Sequence, residues 1–332
     1  MTSMSPQSSV PAYPELQSFL ESVLPDKRVA LRTEVLPALI HSVQLIAETL
    51  RSSHQVSQVG TANAFGDDQL NVDVAAENII REAIANSPSI AAASSEEDPV
   101  EKVVNQNLEG GEIYTIAFDP LDGSSIIAPN WSVGTIIGLW DGKSALNQSP
   151  DKQIAAILGV YGPRTTVVVA IRTSTSDSVA FELGINDGTC DIIRERIQLD
   201  SPPFKTRYFA PANLRSAAED QKYMELVTHY IRNKYTLRYS GGLVPDIVHA
   251  LVKGHGVYVS PVTEKSKAKL RRLYELAPIA LIVECAGGKA LDSKTGERIL
   301  ERQIKDCDER AGIVCGTTDE VDLVSQRLGL GA

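Results

Sequence analysis

Thr115-Ile116-Ala117-Phe118-Asp119-Pro120-Leu121-Asp122-Gly123-Ser124-Ser125 is the stretch on which the reading of this chain turns. Ile113 to Phe118 has the composition of a buried strand, and it runs into a carboxylate. Pro120 has no N–H to donate, so it is expected to stop the ladder there. Asp119 and Asp122 lie three residues apart in a tight turn, so both can face one point. Gly123 and two hydroxyl residues follow, as a loop needs if backbone N–H groups are to approach an anion closely. Two hard oxygen ligands beside an anion cradle point to magnesium holding a phosphate. The bland alternative is a turn with an N-cap, because Asp and Ser serve both purposes routinely.

The surrounding composition narrows the choice. A chain of 332 residues, 43% hydrophobic, suits one large or two mid-sized domains with a substantial core. A formal net charge of −10 without a compensating basic block argues against a nucleic-acid partner. Cys190, Cys285, Cys307 and Cys315 show neither CxxC spacing nor a disulfide framework, and read as buried reduced thiols. The five histidines share no ligand spacing and read as structural or solvated. The longest apolar region, 154–171, is interrupted by Gly162-Pro163-Arg164, which makes it two strands and a turn, not a membrane span. The Ser/Pro-rich start has no secretory or transit pattern, so residues 1–25 are expected to be a flexible tail and the protein cytoplasmic.

Along the chain, 34–50 repeats Leu36, Leu39, Ile40, Val43, Ile46 and Leu50 at helical spacing, and 73–85 is a second helix. Residues 100–111 form a polar connection. Strands are expected at 90–93, 134–140, 154–161, 165–171, 179–183 and 189–194, with hairpin turns at Gly162-Pro163 and Asn186-Asp187-Gly188. Ser201-Pro202-Pro203 marks a junction. Beyond it strands and helices alternate, with helices at 219–233, 244–252, 268–276 and 319–328. The halves are therefore 26–200 and 201–332, an α/β chain with a mixed sheet in each half.

Carboxylates recur where these elements end: Asp67, Asp73, Glu96, Glu97, Asp119, Asp122 and Glu275. Charged residues are normally solvated. Here, however, Glu96-Glu97 follows a small apolar run, Asp119 ends a buried strand, and Glu275 sits inside the apolar Leu273-Tyr274-Glu275-Leu276-Ala277-Pro278. Several buried carboxylates would repel one another by several kcal/mol at low effective dielectric, and divalent cations are the simplest relief.

Gly66-Asp67-Asp68-Gln69-Leu70, Ser95-Glu96-Glu97 and Phe118-Asp119-Pro120-Leu121-Asp122-Gly123-Ser124-Ser125 resemble the lithium-sensitive fructose-1,6-bisphosphatase superfamily. Further blocks, Val133-Gly134-Thr135-Ile136, Tyr161-Gly162-Pro163-Arg164-Thr165-Thr166, Phe209-Ala210-Pro211-Ala212-Asn213-Leu214-Arg215 and Tyr235-Thr236-Leu237-Arg238-Tyr239-Ser240-Gly241-Gly242, look most like its sedoheptulose-1,7-bisphosphatase branch. The resemblance spans about residues 30–320. It implies the sugar-phosphatase fold, with alternating α/β/α/β/α layers, and magnesium-dependent hydrolysis of the 1-phosphate of a sugar bisphosphate. Two or three Mg2+ per subunit are implied, with Mn2+ able to substitute, in a homodimer or homotetramer.

Residue by residue, the resemblance gives Glu96, Asp119, Asp122 and Glu275 to a first metal, and Glu96, Asp119 and the Leu121 carbonyl to a second. Asp67 goes to a third, weaker ion. Asp73 and Glu97 match the pair that activates the attacking water. Gly123, Ser124 and Ser125 match the groups that hold the scissile phosphate. Asn213, Arg238, Tyr239 and Lys269 match positions that hold the sugar and its distal phosphate, the arginine reaching across a dimer interface; Arg215 is specific to the sedoheptulose-type branch. Two departures stand out. Residues 57–64 carry no cysteine, unlike the thiol-regulated plastid enzymes, and Ser260 replaces the tyrosine usual in fructose bisphosphatases. The stretch 24–51 does not resemble the nucleotide-inhibited site of that family either, so no AMP inhibition is expected. Fructose 1,6-bisphosphate is the alternative substrate. A non-catalytic phosphosugar-binding protein is the reading of another class.

Overall fold

The computed structural model describes residues 11–24, 28–62, 68–106, 108, 111–173, 178–186 and 188–331. Two mixed sheets organise them. The larger has eight strands in the spatial order Thr189–Arg194, Val179–Asn186, Thr165–Ile171, Gln153–Tyr161, Val133–Asp141, Tyr114–Asp122, Ile90–Ser95 and Lys102–Val103. Only the Ile90–Ser95/Tyr114–Asp122 pair is parallel. The smaller sheet runs Thr236–Leu237, Tyr208–Pro211, Val257–Ser260, Ile313–Gly316 and Lys289–Asp292, parallel between its first three strands and antiparallel after.

Both faces of the larger sheet are buried, so its strands read as continuous apolar runs and periodicity alone does not say which residue faces which layer. Ile137, Leu139, Ile157, Val167, Val169 and Phe181 face the helices Pro14–Val23, Leu36–Ser52 and Asn71–Ala85. Their neighbours Ile136, Leu158, Val168 and Ala180 face the helices Leu243–Lys253 and Ala277–Cys285. Those two helices also cover the inner face of the smaller sheet, whose outer face packs on Gln221–Arg232 and Thr318–Leu328. The layers are thus α/β/α/β/α, as the resemblance implied.

Three local features depart from the sequence reading. Residues 14–23 are helical with Leu16 and Leu20 fully buried, so within the expected tail at least residues 14–23 are packed structure. Pro120 does not end its strand. The ladder pairs Asp119 with Ile136, skips, and resumes at Asp122 opposite Gly134. The missing N–H is absorbed by this bulge, which turns Asp119 and Asp122 toward one side. Finally, 268–276 is not one helix. Leu270–Arg271 pairs antiparallel with Arg310–Ala311, and a π-turn over Arg272–Leu276 leads into the Ala277–Cys285 helix. The Arg271 N–H donates to the Glu275 carboxylate at 2.5 Å, which binds the turn to the strand before it. The short Lys102–Val103 strand lies inside the expected connection 100–111. The cysteines are all free thiols, with Cys190, Cys307 and Cys315 buried and Cys285 half-buried.

Candidate active site

Asp119, at the bulge, is 4% exposed, and its Oδ1 accepts from the Leu121 N–H at 3.0 Å. The Pro120 carbonyl is held from the far side by the Thr135 hydroxyl at 2.7 Å, itself 2.7 Å from the Tyr161 hydroxyl. Asp122 Oδ2 accepts from the Val244 N–H at 2.8 Å, at the start of the Leu243–Lys253 helix. That helix reaches the sheet because residue 134 is glycine; a Cβ there would run into Val244. Glu275, 6% exposed, comes from the π-turn. One carboxylate oxygen from each of Asp119, Asp122 and Glu275 lies within 4.8 Å of the others. Glu96 borders this group. Its carboxylate is turned to the Arg271 guanidinium, while its charge is the largest neighbouring influence on Asp119.

The electrostatics are those of acids crowded away from water. Burial lifts Asp119 well above the carboxylate range, and the charges of Glu96, Asp122 and Glu275 add to it. Glu275 is lifted in the same way, by burial first and then by Glu96. Asp122 is pushed up to about 7 by burial, against the Val244 and Leu243 N–H groups that lower it. The oxygens, their spacing and their shared need for a positive charge fit a hard divalent cation.

Asp73 lies in the first turn of the Asn71–Ala85 helix, 4% exposed, with Oδ2 accepting from Leu70 N at 3.0 Å. Its Oδ1 is buried with no hydrogen-bond partner among the described residues. Burial raises it to about 7, with Glu97 and Glu96 adding to the shift, so these acids share one neighbourhood. Gly123 has φ +97°, the left-handed conformation that leads the chain from the bulge into the short helix Ser124–Ile127. Ser124 and Ser125 are exposed on its first turn.

The remaining expected residues form a second group. Arg215 Nε donates to Asn213 Oδ1 at 3.3 Å, and the Asn213 N–H and Arg215 both bear on the Tyr239 hydroxyl. Arg238, next in the chain, points elsewhere. Its guanidinium carbon lies 5.7 Å over the Tyr208 ring, near His249, which burial holds below its ordinary value and the Arg238 charge lowers further. Arg238 and Tyr239 line an open cleft of about 760 Å³ with Trp131, Tyr161, Asp246 and His249. Lys269 is exposed, two residues before Arg271. Asp67 lies outside the described residues.

Sequence reasoning passed over Arg271. It is 3% exposed and touches Glu96 through its guanidinium and Glu275 through its backbone, so it supplies positive charge inside the acidic group. The available signal was the pair Arg271-Arg272 placed against an apolar turn. Asp246 was also missed; its carboxylate holds the Ser240 and Gly241 N–H groups at 2.7 and 3.3 Å beside Tyr239.

Two family models match: fructose-1,6-bisphosphatase N-terminal domain over residues 22–191 and its C-terminal domain over 203–328. The chain belongs to the fructose-1,6-bisphosphatase family. It is 36% identical over 308 residues to the chloroplastic sedoheptulose-1,7-bisphosphatase of Triticum aestivum, covering 92% of this chain and 74% of that one. It is 36% identical over 293 residues to the class 1 fructose-1,6-bisphosphatase of Syntrophotalea carbinolica, covering 86% and 87%. Among solved structures, a Toxoplasma gondii protein described as a sedoheptulose-1,7 bisphosphatase superposes with TM-score 0.84 at 34% identity, over 96% of this chain and 99% of that one. Leishmania major fructose-1,6-bisphosphatase in its holo form superposes with TM-score 0.82 at 27% identity over the same shares. The chain is thus a phosphoric-monoester hydrolase of the sugar-bisphosphatase family. Among the described residues no helix is long and apolar enough to cross a membrane.

Proposed function

We propose that the protein is a magnesium-dependent sugar bisphosphatase that removes the 1-phosphate of sedoheptulose 1,7-bisphosphate, and that it acts in the cytoplasm as a homodimer or homotetramer. The observation that carries this reading is the convergence of Asp119, Asp122 and Glu275 oxygens within 4.8 Å of one another, buried and lifted toward neutrality. Those three, with Glu96 and the Leu121 carbonyl, would hold Mg2+. Two or three such ions, Asp67 serving the third, would polarise the phosphoryl oxygens and acidify a bound water.

The chain's own residues do the rest. Asp73, poised near 7 by burial, orients the attacking water with Glu97 and takes its proton. Gly123 turns the chain so that the Ser124 and Ser125 N–H and hydroxyl groups face the scissile phosphate. Asn213, Arg215, Tyr239 and Lys269 hold the sugar and its distal phosphate. Arg238 serves that phosphate across the dimer interface, which its orientation away from its own Asn213–Tyr239 group supports.

The sedoheptulose preference rests on the blocks around Arg215 and Arg238, and on Ser260 at a position usually tyrosine in fructose bisphosphatases. Fructose 1,6-bisphosphate is the second reading, favoured by relatives of equal identity that carry that name. Phosphate release from each sugar bisphosphate, with Mg2+ and then with excess chelator, tests both. A higher kcat/KM for sedoheptulose 1,7-bisphosphate and full loss on chelation are expected. Equal or reversed preference overturns the substrate assignment, and activity that survives chelation overturns the metal assignment.

A further inference from the structure

Asp73, Glu77 and Arg81 are spaced by four along the Asn71–Ala85 helix, so they stack on one face over successive turns. Asp73 belongs to the site described above; Glu77 and Arg81 have had no role. Glu77 Oε1 accepts from Arg81 Nε at 2.7 Å and from the Ser95 hydroxyl at 2.8 Å. Ser95 Oγ in turn accepts from Arg81 Nη2 at 3.3 Å and from the Asp98 N–H at 3.0 Å. Arg81 is 3.7 Å from the Asp98 carboxylate, and its guanidinium carbon lies 5.3 Å over the Phe118 ring.

What these contacts join is specific. Ser95 and Phe118 are partners in the parallel register, and the Glu96 N–H donates to the Phe118 carbonyl at 3.0 Å. The residues next along the chain, 96 and 119, carry two of the site's acids, and Glu97 follows. One guanidinium therefore sits over Ser95 and Phe118, the residues just before the acids on two adjacent strands. The carboxylate it pairs with stands one turn along the helix from Asp73. Glu77 and Arg81 are only 14% and 24% exposed, so the pair is weakly screened by solvent.

We propose that Glu77 and Arg81 are positioning residues: their ion pair, closed through Ser95, sets the separation between Asp73 and the Glu96–Glu97 pair. Neither touches the reacting atoms. Charge-assisted hydrogen bonds of this kind are short and directional, and a displacement of about 1 Å in a water-activating pair costs up to about 100-fold in rate. Packing alone would ask only for apolar side chains on this face. The polar triangle instead fixes where the 95–98 loop stands along the helix.

This inference rests on the function proposed above, and the measurement separates the two. Kinetics on sedoheptulose 1,7-bisphosphate are measured for wild type, Arg81→Ala, Arg81→Lys, Glu77→Gln and the Arg81→Ala/Glu77→Gln pair, with the melting temperature of each. Arg81→Ala is expected to lose about 30-fold in kcat with KM within about twofold, and to need several-fold more Mg2+ for half-maximal rate. Arg81→Lys, which keeps the charge beside Glu77, is expected to recover most of that loss. Adding Glu77→Gln to Arg81→Ala is expected to cost less than about twofold more, because one unit has already been broken. If kcat stays within twofold while the melting temperature falls, the pair is packing only and the inference is overturned. If KM rises in step with the loss of kcat, it is overturned as well. Should Arg81→Ala not fold, Glu77→Gln and Arg81→Lys decide by the same split. A wild type inactive on both sugar bisphosphates removes the proposed function, and this inference with it.

Discussion

The acidic group around Asp119, drawn from both halves of the chain, and the buried Glu320 have opposite electrostatics. In the second half Glu320, 1% exposed, accepts from the Tyr235 hydroxyl at 2.8 Å, from His255 Nε2 at 3.1 Å and from Arg207 Nε at 3.2 Å. The Tyr208 N–H donates to His255 Nδ1, which leaves Nε2 as the protonated nitrogen. Burial pushes Glu320 up, but its donors outweigh burial and hold it below the usual value. In the first group Asp119, Asp122 and Glu275 are pushed the other way, since burial and like charge act together. A buried acid with enough donors is a structural tie. Buried acids that face mainly one another store a demand for cations, and that demand is what marks a site.

The largest expected difference lies in Asp122→Asn. It removes one ligand charge and should abolish turnover, by about 1,000-fold or more, while the fold persists. Phosphate release and the melting temperature of the metal-free protein check it together; retained activity breaks the contrast at its root. Glu320→Ala should act inversely. It leaves His255, Tyr235 and Arg207 without their acceptor and should cost about 3 kcal/mol of stability, with kcat per folded molecule little changed. A chemical melt beside an active-site titration reads both. Next comes Arg238→Ala, expected to raise KM for bisphosphates about tenfold or more, since a charge-assisted contact to phosphate is worth about 1.5–3 kcal/mol. Equal shifts for a monophosphate would remove the distal-clamp role.

The smallest effect concerns pH. Asp73 and Asp122 rise from 3.8 to about 7 on folding, so between these values the native state binds more protons than the unfolded one. Their contribution therefore favours the fold at low pH and declines as pH climbs from about 4 to about 7. The proposed Mg2+ would bind the ionised form, so its stabilisation should be larger at pH 8 than at pH 6. Calorimetric scans at both pH values, with and without Mg2+, test this, and Glu320, held below its ordinary value of 4.5, should add nothing between pH 6 and pH 8.

Much of the acidic group was legible because its members follow or interrupt apolar runs: Asp119 after 113–118, Glu96 after Ile90-Ala91-Ala92-Ala93, Glu275 inside an apolar turn. Less visible was how the chain turns there. Pro120 reads as a stop, yet the antiparallel partner Val133–Asp141 carries the ladder past it and converts the stop into a bulge. The helix expected at 268–276 gives way because Leu270–Arg271 finds a partner forty residues on, at Arg310–Ala311. Local propensity does not contain that pairing. Leu16 and Leu20 fall within the expected tail for a related reason: a short amphipathic segment is a helix only if a surface exists to receive it.

Alone, the sequence determined the alternation of elements, the depth of the core and the inventory of acids, because periodicity, turn chemistry and charge are local properties. Tertiary structure decided which of those acids stand within one ion's reach. It also decided that Arg271 lies among them, that Arg238 faces away from its neighbour, and that Glu77 and Arg81 bridge a helix to Ser95 and Phe118 on two adjacent strands. Those outcomes depend on distances between segments up to about 175 residues apart, such as Glu96 and Arg271. Such distances come from how the layers pack and from no single stretch of chain.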